Sequence, residues 1–103
     1  MGYIDSGVKE GATLHVGGQR FGQEGYFIEP TIFTNTRPDM KIVREEIFGP
    51  VGVVIKFEDD ADVIRQANDT TYGLAAAVFS RDIQRALNVG HKIRAGTVWV
   101  CFF

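Results

Sequence analysis

Seven consecutive residues carry the side chains best suited to holding a ligand: Glu45-Glu46-Ile47-Phe48-Gly49-Pro50-Val51. A carboxylate only accepts hydrogen bonds, and it can take two from the vicinal diol of a ribose. A phenyl ring two residues on offers an apolar wall to a flat heteroaromatic ring. In nearly extended backbone, residues i and i+2 point the same way. Glu46 and Phe48 can therefore face one ligand while Ile47 packs behind them. Gly49-Pro50 forces a bend, and a β-prone run follows in Val53-Val54-Ile55-Lys56-Phe57. Loops held at the ends of buried strands are where α/β proteins place ligand contacts. The plainer reading of the same residues is a solvated glutamate pair and a core phenylalanine. On pattern alone it outweighs the binding reading, because motifs this short recur by chance.

The rest of the chain offers little self-contained chemistry. There is no Gly-x-Gly-x-x-Gly and no Gly-x-x-x-x-Gly-Lys-Ser/Thr. His15 and His91 lie far apart, with no second histidine or cysteine at ligand spacing, which argues against zinc. His91, on a helix, reads as a surface or half-buried residue. Asp59, Asp60 and Asp62 suit a cation, but a solvated helix start matched to the macrodipole explains them more simply. Cys101 sits in an apolar strand with no base near it in sequence, so it reads as an inert buried thiol. No metal site and no catalytic residue is expected in this chain.

The totals bound the answer. At 103 residues the chain is one domain or part of one. It is 45% hydrophobic and 23% charged, ordinary for a globular protein. A net charge of −2 gives no reason to expect nucleic acid as a partner. No apolar run approaches the roughly 20 residues of a membrane helix. The first residues lack the basic and apolar regions of a signal peptide. Met1-Gly2, with Ser6 at the favoured place, matches a myristoylation start; Asp5 and the lack of a second membrane signal make chance the better account. One cysteine cannot make an internal disulfide, which fits a reducing compartment.

The elements that would position the Glu46 loop follow from patterning. Residues 1–11 read as a helix with Tyr3, Ile4 and Val8 on one face and Gly11 as its stop, although Gly2 and Gly7 weaken it. Residues 13–16 read as a strand between glycines. Residues 26–33 alternate and are aromatic-rich, so they are expected to be a strand, with Pro30 at an edge or bend. Asp39 is expected to cap a short helix that turns Met40 and Val43 inward. From residue 51 onward the pattern is strand, helix, strand, helix, strand. The strands are expected at 51–57, from Leu74 to Phe79, and at 97–102. The first helix runs to about Asn68, with Val63, Ile64 and Ala67 on one face; the second is capped by Ser80 and uses Ile83, Ala86, Leu87 and Ile93. This spacing implies βαβαβ in residues 51–102, an α/β class with a mostly parallel sheet.

Five stretches together are similar to one family. They are Gly2-Tyr3-Ile4, the run from Gly25 to Thr31, Glu45-Glu46-Ile47-Phe48-Gly49-Pro50-Val51, the run from Ala67 to Phe79 containing Tyr72-Gly73-Leu74-Ala75-Ala76, and Ala95-Gly96-Thr97-Val98-Trp99-Val100. In order and spacing the chain resembles a C-terminal part of the catalytic domain of the aldehyde dehydrogenase superfamily, close to its broad-specificity NAD-dependent branch. The resemblance implies that Glu46 binds the nicotinamide ribose hydroxyls, that Phe48 lies beside the nicotinamide, and that Gly49 and Pro50 shape the loop. It implies NAD, or NADP, as cofactor and oxidation of aldehydes to carboxylic acids. In the family a cysteine attacks the aldehyde, hydride passes to the cofactor, and a glutamate activates the water that hydrolyses the thioester. An asparagine and a backbone amide hold the oxyanion.

The family places those groups, and the dinucleotide-binding domain, before the segment matched by Met1. Cys101 stands where the family has asparagine and is not the nucleophile. Residues 1–103 are thus expected to be a fragment of the catalytic domain, inactive alone. A chain that starts within a structure and ends on a buried strand, at Cys101-Phe102-Phe103, agrees with that. For the intact enzyme the resemblance implies an aldehyde substrate, homo-oligomers, and a cytoplasmic or mitochondrial location. The alternative is a non-catalytic truncated product that acts only by association with a full-length subunit. An unrelated doubly wound binding domain remains if the motif matches are coincidence.

Overall fold

A computed structural model describes residues 1–102. The chain divides into two compact units, Met1–Lys56 and Phe57–Phe103, each with its own sheet.

The first unit contains α1 (Gly2–Lys9), β1 (Thr13–Val16), β2 (Thr31–Thr34), α2 (Lys41–Arg44) and β3 (Val51–Val53). Its sheet order is β1-β2-β3. β1 runs antiparallel to β2 with Leu14 opposite Phe33, and β3 runs parallel to β2 with Phe33 opposite Val53. Phe33, fully buried, is the hub of a cluster with Ile4, Met40 and Ile42. Burying an aromatic side chain of this kind contributes roughly 1.5–3 kcal/mol.

The glycine that weakened the first helix has a packing reason. A Cβ on Gly7 would lie 3.0 Å from both Ile42 Cδ1 and Phe33 Cζ, so α1 approaches α2 and β2 more closely than alanine allows. Ile4 and Gly7 form the inward face, whereas Val8, expected there, is exposed. Gly17, at φ +76°, lets the chain turn against β2; a Cβ there would sit 2.2 Å from the Pro30 carbonyl oxygen. The next amide, of Gly18, donates to the buried Thr31 hydroxyl at 2.8 Å.

Three further expectations fail in this unit. The strand expected at residues 26–33 is ladder only from Thr31, and Tyr26 is 98% exposed. Gly22 and Gly25, both at positive φ, curl the preceding segment into a loop closed by the single bridge between Arg20 and Ile28. The strand expected to reach residue 57 stops at Val53. Val54 makes the last ladder bond, to the Phe33 carbonyl, because β2 itself ends and turns away at Asn35, which lies at φ 52°. Asp39 pairs with Arg37 rather than capping α2, whose N-cap is Met40.

The second unit contains α3 (Asp60–Asn68), β4 (Ala75–Phe79), α4 (Ile83–Gly90) and β5 (Thr97–Cys101). β4 and β5 are parallel, with Ala77 opposite Trp99. Residues 51–102 thus keep the strand-helix-strand-helix-strand order, two of the three strand pairs of the described residues are parallel, and β3 takes its ladder from β2. α4 lies against the strands at Gly90, where a Cβ would come within 3.1 Å of Val100. Its buried face is Ala86, Val89 and Gly90, while Ile83 and Leu87 are exposed. Asp82 is the N-cap, its carboxylate accepting from the Arg85 amide at 3.1 Å; Ser80, expected in that role, instead accepts from the Asp82 amide. Phe102 lies past the end of β5, and Phe103, the other residue of the expected chain end, is outside the described residues.

Candidate functional site

The loop with Glu46 and Phe48 leaves the one-turn helix α2 and enters β3. A single turn gains too few hydrogen bonds to hold itself in water, and side chains from α1 and from its C-cap residue hold both its ends. At the N-terminal end the Glu10 carboxylate accepts from the Lys41 amide at 3.1 Å, doing the work a cap residue would do. At the C-terminal end Glu45 turns the backbone from helix to extended chain, at φ −109° and ψ 151°. Its carboxylate accepts a 2.8 Å hydrogen bond from the Tyr3 hydroxyl. The Lys41 ammonium lies 5.2 Å from the centroid of the same tyrosine ring.

Past Glu45 the side chains alternate. Ile47 is half-buried and packs against the Phe33 cluster. Glu46 is exposed, and Phe48 is 91% exposed. This is the alternation expected from extended backbone, with the apolar residue inward and the carboxylate and ring outward. Phe48 is therefore not a core residue, which removes half of the plainer reading. No hydrogen bond or ion pair engages the Glu46 carboxylate among the described residues. The loop then closes through two three-residue turns, Gly49 N–H to the Ile47 carbonyl at 3.1 Å and Val51 N–H to the Gly49 carbonyl at 2.8 Å. Proline's fixed φ suits the centre of the second turn. The Pro50 carbonyl accepts from the Thr31 amide at 2.8 Å, fastening the far end of the loop to the start of β2.

A carboxylate with open lone pairs beside an exposed phenyl ring, on a loop tied at both ends, can accept a diol and lie along a flat ring. A groove of about 250 Å³ in the same unit lies elsewhere, among Thr34, Asn35, Thr36, Val54, Ile55 and Lys56. Neither Glu46 nor Phe48 lines it, so the open loop is the better match to the diol chemistry.

The other candidates resolve into structure. Asp59 is the N-cap of α3 and accepts from the Asp62 amide at 2.8 Å. Asp62 accepts from the Glu58 amide at 3.1 Å, from Gln66 at 2.8 Å and from Arg65. The Glu58 amide above all holds the Asp62 carboxyl below its ordinary value; the cost of desolvation opposes it, and Gln66 and then Arg65 add to the lowering. Asp60 pairs with Arg85, tying α3 to α4, and that pairing raises the Arg85 guanidinium. Among the described residues no group of three or more His, Cys, Asp or Glu is placed to hold a metal, and no helix is long and apolar enough to cross a membrane. His15 is exposed on β1, and His91 is exposed at the C-cap of α4. Cys101 is half-buried in β5 opposite Phe79.

Two residues in supporting roles escape a reading by motif. Tyr3 reads from sequence as a helix-face residue, and its hydroxyl reaches 42 positions along the chain to Glu45. Asn68 reads as the end of a helix, yet its amide donates to the Lys92 carbonyl at 2.9 Å and accepts from the Arg94 amide at 2.8 Å. Neither long-range partner has a local sequence signal.

Comparison with known proteins gives one answer. The model described as the aldehyde dehydrogenase family matches residues 1–102. An aldehyde dehydrogenase of Agaricus bisporus is 69% identical over 100 residues, which are 97% of this chain and 20% of that protein. Mouse (Mus musculus) cytosolic aldehyde dehydrogenase 1 is 52% identical over 100 residues, again 97% of this chain and 20% of that protein. A solved NAD+ complex of aldehyde dehydrogenase from Bacillus cereus superposes with a TM-score of 0.90 at 49% identity, covering 96% of this chain and 20% of that one. The chain spans about one fifth of the length of the relatives it matches.

Proposed function

The chain belongs to the aldehyde dehydrogenase family, and on that premise we propose that it is a C-terminal part of the catalytic domain of an NAD-dependent enzyme of the broad-specificity branch, with Glu46 and Phe48 as its nicotinamide-ribose contact. The observation that carries this is the arrangement of one loop: Ile47 anchored on the core, Glu46 and Phe48 outward, and both ends of the loop tied. The residues fit the cofactor. Glu46 supplies an acceptor for the two ribose hydroxyls, Phe48 an apolar surface for the pyridine ring, and the turns at Gly49 and Pro50 keep that spacing. Bound there, NAD or NADP supplies the acceptor for hydride leaving the aldehyde. Solved NAD+ complexes among the structural relatives support the choice of cofactor.

In the intact enzyme the substrate is an aldehyde and the product a carboxylic acid; the protein is a homo-oligomer that binds neither nucleic acid nor membrane. The name of the mouse relative supports a cytoplasmic location, and a mitochondrial one is the alternative for the full-length protein. This segment contributes a cofactor contact and scaffold, and by itself it is catalytically silent. Saturation-transfer NMR with NAD+ tests the assignment. Transfer from the chain to the nicotinamide ring protons is expected, and it falls in Phe48→Ala. Transfer confined to the adenine protons would contradict it.

A second reading has one observation in its favour. Phe79 and Trp99 are both exposed on β4 and β5, although parallel strands are ordinarily covered on both faces. A non-catalytic product associating with a full-length subunit would use such a surface. Co-purification with an intact dehydrogenase would favour it over the first reading.

A further inference from the structure

The Glu46 loop is aimed by a helix that carries none of its ligand contacts. α2 has four residues and no side chain of its own capping its first turn. α1 and its C-cap residue supply what it lacks at both ends, through Tyr3 to Glu45 at 2.8 Å and through Glu10 to the Lys41 amide at 3.1 Å. At Gly7 the two helices pack closely: a Cβ there would lie 3.0 Å from Ile42 and from Phe33. Glu10 also accepts from Ser6, one turn earlier on its own helix, which holds the carboxylate in place. The Arg37 guanidinium donates to the Glu10 carbonyl, bringing the chain before α2 to the same helix end.

Of these ties, the one from Tyr3 sits where it matters to the ligand. Glu45 is the residue at which helix gives way to extended backbone, so its rotation sets the direction in which Glu46 leaves. We propose that Tyr3 is a positioning residue: its hydrogen bond to Glu45 fixes the orientation of the loop that presents Glu46 and Phe48. The proposal rests on the nicotinamide-ribose reading for its functional meaning. Its structural content, an ordered loop, stands without any ligand.

Fifteen-nitrogen relaxation on the 103-residue chain separates the two. In the free chain, Tyr3→Phe keeps the ring and removes the hydroxyl; the heteronuclear NOE of Glu46, Ile47, Phe48 and Gly49 is expected to fall, while that of Ala76 to Val78 stays unchanged. Glu45→Ala is expected to give the same loss. The double variant loses no more than either single one, as two ends of one interaction require. Glu45→Gln keeps an acceptor and restores most of the order. With nicotinamide mononucleotide as the probe, Tyr3→Phe is expected to raise the dissociation constant roughly 2- to 10-fold, the range of one net hydrogen bond. Unchanged loop order in Tyr3→Phe, or additive losses in the double variant, would overturn the proposal. Loss of the dispersed Ala76 to Val78 signals would overturn it as well, since the tie would then hold the whole fold rather than the loop. A loop that loosens as expected in a chain whose Glu46 and Phe48 ignore the mononucleotide would leave the positioning role standing and sink the ribose reading.

Discussion

Replacing Glu46 by Gln keeps the shape of the side chain and removes its charge. Charge-assisted hydrogen bonds are about twice as strong as neutral ones, so Glu46→Gln is expected to weaken binding of a nicotinamide riboside by roughly 3- to 10-fold with no change in melting temperature, as calorimetry and a thermal melt would show. Gly7 gives a contrasting prediction. Alanine is the better helix former by about 1 kcal/mol, yet the added methyl would lie 3.0 Å from Ile42 and Phe33, both buried. Overpacking of this kind costs about 1–3 kcal/mol, so Gly7→Ala is expected to lower stability in urea melts. A gain would mean that α1 moves off the sheet freely. Sequence alone marks Glu46 and Phe48 as candidates, because acceptor chemistry and i, i+2 spacing are local; the resemblance, not the pattern, favours them over the plainer reading. It marks Gly7 only as a defect in a helix, because the reason lies 26 and 35 positions away, at Phe33 and Ile42.

Elements were legible where their stabilising interactions are local. β1 and β4 fall within a residue of the patterned runs, and α3 starts where its acidic turn places it. They were illegible where a strand needs a partner: residues 54–57 are as β-prone as residues 51–53, but β2 has no ladder left to offer them. Caps show the same limit. Ser80 and Asp82 are both good cap residues, and the structure uses Asp82. Asp82→Ala is accordingly expected to destabilise α4 by about 1 kcal/mol, measured by chemical denaturation, with Ser80→Ala costing less. At α3, a carboxyl whose pKa is depressed in the folded chain contributes stability above its unfolded pKa and loses it as pH falls through the folded one. Asp62 is such a group. Acid titration followed by circular dichroism is therefore expected to show a loss of stability below the ordinary carboxylate range, and Asp62→Asn is expected to flatten that part of the curve.

At the scale of the molecule, family and α/β class were readable because the matching motifs run the length of the chain in order. The family match over residues 1–102 agrees with them. The division into two compact units was not readable, because no glycine- or proline-rich linker marks the change at Lys56. The purified chain is expected to leave NAD+ unreduced in the presence of a simple aldehyde, and Cys101→Ser to change nothing; a measurable rate abolished by Cys101→Ser would make that thiol a nucleophile after all. The most direct measurement is a titration of the ¹⁵N-labelled chain with nicotinamide mononucleotide, beside the Glu46→Gln variant. Saturable shifts centred on Glu46, Phe48 and Gly49 are expected, and they weaken in the variant. Shifts centred instead on the groove at residues 34–36 and 54–56, or equal binding by both chains, would contradict the ribose reading.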